Sequence, residues 1–233
     1  MGLHPSTQAL VRDLVARITI PMVVDADGIN ALAGAGEWLR RAGGPLVLTP
    51  HPGECSRLLG VPSAQVLRDR ISLVQKSGAD LGLTLVLKMA RTLIGDPATG
   101  VAVVPTGNPG MATGGTGDVL TGLIAGLIAR GTAPALAARA GAYVHGLAGD
   151  LAAERVGPEA MLAGDLLECV PEAIRRVKAE SAEGNSATWQ LDHWAMPRPG
   201  DSPSGKAGVI EGTCPRSPGS PWAGAPGRSV FSP

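Results

Sequence analysis

The sequence predicts a layered α/β domain, a sheet of buried strands covered by helices. Three observations carry this. Short aliphatic runs at residues 22–24, 45–49 and 83–87 alternate with stretches whose apolar residues recur at helical spacing. Hydrophobic residues make up 44 % of the 233 and aromatic residues only 3 %, so the core must be aliphatic and alanine-rich. Glycines concentrate in residues 107–117, directly ahead of a small-residue apolar helix. A strand or loop running into a helix start is how open α/β sheets present ligands.

Taken in order, Ser6 can cap a helix reaching about residue 17, with Leu10, Leu14 and Val15 on one face. Met22, Val23 and Val24 form a buried strand that runs into Asp25-Ala-Asp-Gly-Ile-Asn at residues 25–30. Asp25 reads either as a turn carboxylate or as a ligand contact. A weak helix follows at about residues 37–41, then a strand over 45–49 and the turn Pro50-His-Pro-Gly-Glu54. Two prolines stiffen that turn around His51, a poor place for a core histidine, and Glu54 can begin the next helix. His51 is therefore a ligand contact or a structural, exposed residue. The helix carrying Cys55, Leu58 and Leu59 stops at Gly60, and another runs from Ser63 to about residue 78. Cys55 reads as a packing residue, since no base can be assigned to it.

The third strand, over 83–87, ends in Lys88, which can reach a phosphate as a point charge or stand solvated. Residues 93–94 and 101–104, joined through Asp-Pro-Ala-Thr-Gly at 96–100, predict a hairpin. A helical block then begins near Asp118 and runs to about residue 178, with internal boundaries at Pro134 and Pro158; Asp165, Glu168, Pro171 and Ile174 fit its last helices. From about residue 181 the composition shifts to Pro, Gly and Ser without periodicity, and Trp189, Trp194 and Trp222 lie there. This predicts a domain over 1–179 and a disordered tail over 180–233, with a tryptophan-anchored binding peptide as the alternative.

Charge narrows the function. Twenty Lys and Arg balance twenty Asp and Glu, so the net charge of +0 steers the chain toward neither nucleic acid nor anionic lipid. The start, Met-Gly-Leu-His-Pro, is not a signal peptide, and no apolar run is long enough to span a bilayer. Cys55, Cys169 and Cys214 form neither a CxxC nor a disulfide framework. The expectation is a cytoplasmic protein.

The chemistry gathers in Asn-Pro-Gly-Met-Ala-Thr-Gly-Gly-Thr-Gly-Asp at residues 108–118. Glycines let successive N–H groups turn inward, and a helix N-terminus adds unpaired N–H groups and a dipole that favours phosphate. Asp118 stands beside that anion site, where a carboxylate can take a proton from a hydroxyl attacking a phosphoryl group. The motif is neither a Walker loop nor the dinucleotide-binding fingerprint.

Residues 108–122 resemble the signature of the ADP- or ATP-dependent NAD(P)H-hydrate dehydratases of the ribokinase-like superfamily. Four further stretches agree in order: residues 24–32, residues 48–54, Ala-Tyr-Val-His-Gly-Leu-Ala-Gly-Asp at 142–150, and residues 162–166 with Pro171. The likeness covers about residues 2–178. It implies a ribokinase-like three-layer sandwich with a central, mostly parallel sheet. It also implies repair of hydrated NADH or NADPH: the ring hydroxyl is phosphorylated from ADP or ATP, and phosphate, a far better leaving group than hydroxide, is then eliminated. By resemblance, Asn30, His51 and Asp118 contact the hydrate, with Asp118 as base. Gly115, Thr116 and Gly117 form the anion hole. Lys88, Met89, Ala90, Arg91, Thr92 and Gly117 hold the nucleotide. Mg²⁺ is expected through the phosphates, with few direct protein ligands; a second copy of the chain and an epimerase are the partners left open.

Two departures stand out. The family's Lys-Gly-Ala-x-Thr is Lys88-Met-Ala-Arg-Thr92 here, so Met89 puts a side chain where a glycine approaches the ligand. The family's domains also carry early strands and a Gly-rich substrate loop ahead of the point matching Leu3, so an N-terminally truncated sandwich is expected. A small-molecule kinase and a non-catalytic remnant acting as an interaction module are the alternatives.

Overall fold

The computed structural model describes residues 4–182. The expectations for the Pro/Gly/Ser-rich tail, its tryptophans and Cys214 lie outside the described residues.

The first helix, α1 (Pro5–Arg17), is capped by His4 rather than Ser6: the His4 ring accepts from the Ser6 N–H, and Pro5 takes the first helical position. β1 (Met22–Val24) leads into a short helix, α2 (Asp27–Ala31), and then α3 (Gly36–Arg40). β2 (Leu46–Leu48) precedes α4 (Pro52–Leu59), which ends at Gly60 in the left-handed conformation, φ 67°. The single helix expected from Ser63 is two, α5 (Ser63–Arg68) and α6 (Arg70–Leu81), because Asp69 leaves helical geometry at φ −107°, ψ 23°. β3 (Thr84–Leu87), β4 (Leu93–Asp96) and β5 (Gly100–Val103) complete the sheet. A 3₁₀ turn at Pro109–Met111 precedes α7 (Thr116–Ala129), α8 (Pro134–Val156) and α9 (Ala163–Ala182). Among the described residues no helix is long and apolar enough to cross a membrane.

The sheet order is β1-β2-β3-β4-β5. The β1–β2 and β2–β3 pairs are parallel, whereas β3–β4 and β4–β5 are antiparallel. The sheet is therefore mixed, not mostly parallel. Connection length explains it: a parallel return needs a crossover of a dozen or more residues, and only residues 88–92 join β3 to β4, only 97–99 join β4 to β5.

Alternation along the strands builds the three layers. Leu46, Leu48, Leu85 and Leu87 face a core shared with Val11, Val15, Leu39, Leu58 and Val74 of the early helices. Val47, Val86 and Ile94 face the other way, onto Leu120 and Ile124 of α7 and Ala137, Ala138 and Ala142 of α8. A third cluster, including Val144, Ala148, Leu166 and Ala173, packs α8 on α9.

Candidate active site

The three parallel strands end side by side, and each is followed at once by a residue of interest: Asp25 after β1, Thr49 and His51 after β2, Lys88 after β3. Backbone bonds hold these ends in step, Thr49 N–H to the Val24 carbonyl at 3.2 Å and Lys88 N–H to the Pro50 carbonyl at 2.8 Å. Lys88 Nζ and Asp25 Oδ1 then form an ion pair at 2.6 Å, with side-chain exposures of 22 % and 10 %. Thr121, on α7, donates to the other Asp25 oxygen at 3.0 Å. Burial would raise the Asp25 pKa. The Lys88 hydrogen bond and charge, with the Ala26 N–H and the Thr49 hydroxyl, outweigh it and hold the carboxyl below its ordinary 3.8. Asp25 is not among the residues to which the resemblance gives a role. Its signal, a carboxylate at the end of a buried strand, is in the sequence, but its partners are not local.

The glycine-dense loop comes down onto the same edge. Gly115, at φ 91°, is the N-cap of α7, so the helix begins at Thr116 and Asp118 is its third residue rather than the last of the loop. The N–H groups of Asp118 and Val119 bond back to the Gly115 carbonyl. Those of Thr116 and Gly117, the first two of the helix, have no intrahelical acceptor. A β-carbon placed on Gly117 would lie 3.4 Å from Lys88 Nζ and 3.5 Å from Asp25 Oδ2, which locates this turn over the ion pair. Asp118 is exposed in the first turn of α7, where a helix dipole favours a negative charge.

Helix α8 anchors the loop. The Asp150 carboxylate accepts from the Gly107 N–H at 2.9 Å and from the Asn108 amide at 3.0 Å, and Thr106 donates to the Tyr143 carbonyl. Asn108 accepts in turn from the Gly110 N–H. The Thr116 hydroxyl sits between the carbonyls of Met111 and Thr113 at 2.8 and 2.9 Å. This is the physical content of the residue 142–150 motif, which sequence reading placed on a helix without a role.

His51 is the N-cap of α4. Its Nδ1 accepts from the Gly53 and Glu54 N–H groups, while the Glu54 carboxylate accepts from the His51 N–H at 2.9 Å, a reciprocal capping box. The ring is half-exposed, and Nε2 lies 3.4 Å from Glu54 Oε1. Asn30 accepts from Arg57 Nε of α4 at 2.8 Å, which ties α2 to α4. The structure thus brings Gly117, Lys88 and Asp25 together and joins Asn30 to the helix that His51 caps. No hydrogen bond or ion pair among the described residues links that second group to Asp118. In the strand β3–β4 connection, Met89 is partly buried against the larger apolar cluster, Arg91 holds φ 66° and bonds the Pro105 carbonyl, and the Thr92 hydroxyl reaches the Met89 carbonyl. Ala90 is exposed.

Comparison with known proteins agrees with this architecture. A family model described as NAD(P)H-hydrate dehydratase matches residues 1–172. The chain is 51 % identical over 176 residues to the bifunctional NAD(P)H-hydrate repair enzyme of Moorella thermoacetica, covering 76 % of this chain and 33 % of that protein. It is 47 % identical over 149 residues to the ADP-dependent (S)-NAD(P)H-hydrate dehydratase of Neisseria meningitidis, covering 63 % and 50 %. Among solved structures, an ADP/ATP-dependent NAD(P)H-hydrate dehydratase from Bacillus subtilis, co-crystallized with ATP/Mg²⁺ and soaked with CoA, superposes with a TM-score of 0.66 at 34 % identity. It covers 76 % of this chain and 63 % of that one. The chain therefore spans about a third to a half of the length of these curated relatives. With the mixed sheet, the helix layers on both its faces and the glycine-rich entry to α7 all in place, the chain belongs to the NAD(P)H-hydrate dehydratase family, in the ribokinase-like superfamily.

Proposed function

We propose that the chain carries the phosphoryl-transfer centre of an ADP- or ATP-dependent NAD(P)H-hydrate dehydratase, formed by residues 1–179 and followed by a separate tail. The observation that carries this reading is the Asp25–Lys88 ion pair lying under Gly117, at a helix start whose first two N–H groups have no intrahelical acceptor. The terminal phosphoryl group of the nucleotide seats on the turn at Gly115, Thr116 and Gly117, and the Lys88–Thr92 connection holds the rest of the nucleotide. Charge developing on the equatorial oxygens meets the N–H groups and the dipole of α7. Asp118 takes the proton of the ring hydroxyl as that oxygen attacks phosphorus. Asn30 and His51 place the hydrated nicotinamide. Loss of phosphate from that carbon, together with a proton from the adjacent ring carbon, then restores the ring double bond.

The residues present fit a phosphate-borne metal. Lys88 is neutralised by Asp25, so the polyphosphate needs a further cation, and Mg²⁺ held by phosphate oxygens and water would supply that neutralisation with few direct protein ligands. Asp25 and Lys88 act as one unit: the carboxylate holds the ammonium in place, and the ammonium helps keep the buried carboxylate ionised.

The test is recovery of dihydronicotinamide absorbance from hydrated NADPH by the purified full chain with ADP, with ATP and with neither. Recovery that requires a nucleotide supports the reading; a folded chain that binds ADP and never restores the absorbance refutes it. Asp118→Asn is expected to lower kcat by about 10²–10⁴-fold while the ADP Kd stays within about two-fold, since Asp118 lies outside the N–H cradle. Retained turnover would sink its role as base.

A further inference from the structure

One buried polar side chain outside the assigned residues bears on the phosphate-cradling turn. His145, in α8, is 9 % exposed, and its Nε2 lies 2.8 Å from the carbonyl oxygen of Thr116. A carbonyl only accepts, so Nε2 carries the proton and donates. Burial pushes the imidazole down to about 4, against the opposing pull of the Thr116 bond and with the help of the Lys88 charge, so the ring is neutral at physiological pH.

The peptide between Thr116 and Gly117 is trans and planar, so its C=O and N–H point in opposite directions. Holding the Thr116 oxygen toward α8 aims the Gly117 N–H away from α8 and out of the helix start. Satisfying that oxygen does not require a histidine: it lies in the first turn of α7, where a carbonyl already accepts from the N–H four residues on. His145 also stands in a row built for close approach. Gly141 and Gly149, one turn to either side, bring α8 so close that a β-carbon would displace Ile124 or Met111, and His145 is the polar member between them.

We propose that His145 is a positioning residue for phosphoryl transfer: its bond to Thr116 holds the Thr116–Gly117 peptide in the orientation that presents the Gly117 N–H to the transferring phosphate. This rests on reading residues 115–117 as the phosphate-binding turn. It gives the otherwise unassigned histidine of the α8 motif a task that leucine, of similar bulk, cannot perform.

The experiment uses the full chain and two variants. His145→Leu fills the space and removes the donor; His145→Gln keeps an N–H donor at similar reach. Three quantities are read: kcat and KM for hydrated NADPH, the ¹H–¹⁵N resonance of the Gly117 amide during an ADP titration, and the thermal midpoint. In the native chain the Gly117 resonance shifts as ADP binds; an unmoved resonance overturns the proposal whatever the variants do, including a His145→Leu chain that fails to fold. His145→Leu is expected to lower kcat by about 10–100-fold, less than deletion of an oxyanion-hole donor, with KM nearly unchanged and the Gly117 shift reduced. His145→Gln restores kcat to within about three-fold of native and restores the shift. Equal kcat and equal Gly117 shifts in Leu, Gln and native chains overturn the proposal, as does a Gln variant no better than Leu. A chain whose Gly117 amide responds to ADP, and does so less in the Leu variant, but which never restores NADPH refutes the dehydratase reading alone and leaves the positioning role standing.

Discussion

His51 caps α4, and its proposed contact with the hydrate is a second demand on the same residue. Its Nδ1 is spent on capping α4, its backbone N–H is spent on Glu54 and its Nε2 lies 3.4 Å from Glu54 Oε1, so the exposed ring edge is what faces outward. Substitution separates the roles. His51→Ala removes the cap and is expected to lower stability by about 1 kcal/mol, with a raised KM for the hydrate. His51→Asn keeps a capping oxygen, so the denaturation midpoint should stay near native while KM rises as in the Ala variant; a native KM in the Asn variant would reduce His51 to a cap. Met89 is a second residue with two readings. In place of the family's glycine it puts a side chain in the β3–β4 connection, and that side chain packs partly against the strand–helix core.

At the scale of elements, α8 does more than cover the sheet. Residues 141, 145 and 149 form one row at four-residue spacing, and 142, 146 and 150 form the next. Through these rows the helix touches α7 at Ile124 and Thr116, the 3₁₀ turn at Met111, and the loop at residues 106–108. Gly146 is the tightest point: a β-carbon there would fall 2.2 Å from Thr106 Oγ1 and 2.7 Å from the Thr106 carbonyl carbon. Gly146→Ala is therefore expected to destabilise the fold by about 1–3 kcal/mol. It should also displace the loop that leads into α7, so that ADP binding weakens along with stability. Denaturant unfolding and ADP titration of the same variant check both; unchanged stability would mean that the helix and loop separate without cost.

At the scale of the molecule, the Asp25–Lys88–Thr121 contact joins β1, β3 and α7, so it ties the sheet to the helix layer that carries the cradle. Its pH dependence follows from its sign. The folded Asp25 pKa lies below its ordinary 3.8, so the contribution of the pair is complete above that value and is lost as pH falls through the lowered one. Lys88→Met leaves a buried carboxylate unpaired, and burial then raises its pKa. The variant is expected to be less stable at pH 7 by about 1–3 kcal/mol, with the deficit shrinking as acid protonates Asp25 in both chains. The double variant Lys88→Met/Asp25→Asn should regain part of the loss. A deficit independent of pH would show that Lys88 acts through packing.

The sequence by itself determined what depends on near neighbours. The five strands, the stops at Gly60 and Pro134, the hairpin over residues 93–104 and the glycine-rich entry to a helix were all legible, because periodicity, caps and turn residues act within a few positions along the chain. The motifs of residues 108–122 and 142–150 were legible as a pair belonging to one family. Local rules left the boundaries looser: the helix start moved from Asp118 to Thr116, the α1 cap from Ser6 to His4, and the helix from Ser63 divided at Asp69. The mostly parallel sheet that the resemblance implies gives way to a mixed one where connections are too short for a crossover, at β3–β4 as well as in the hairpin. What only the tertiary structure decided are contacts between residues far apart in sequence. Lys88 meets Asp25 across 63 positions, Thr121 meets it across 96, and His145 meets Thr116 across 29. No propensity encodes such pairs, because each exists only after the parallel strands have brought their ends to one edge and α8 has closed on α7. The candidate cradle was therefore visible in the sequence, whereas the ion pair beneath it and the histidine behind it had to await the packed fold.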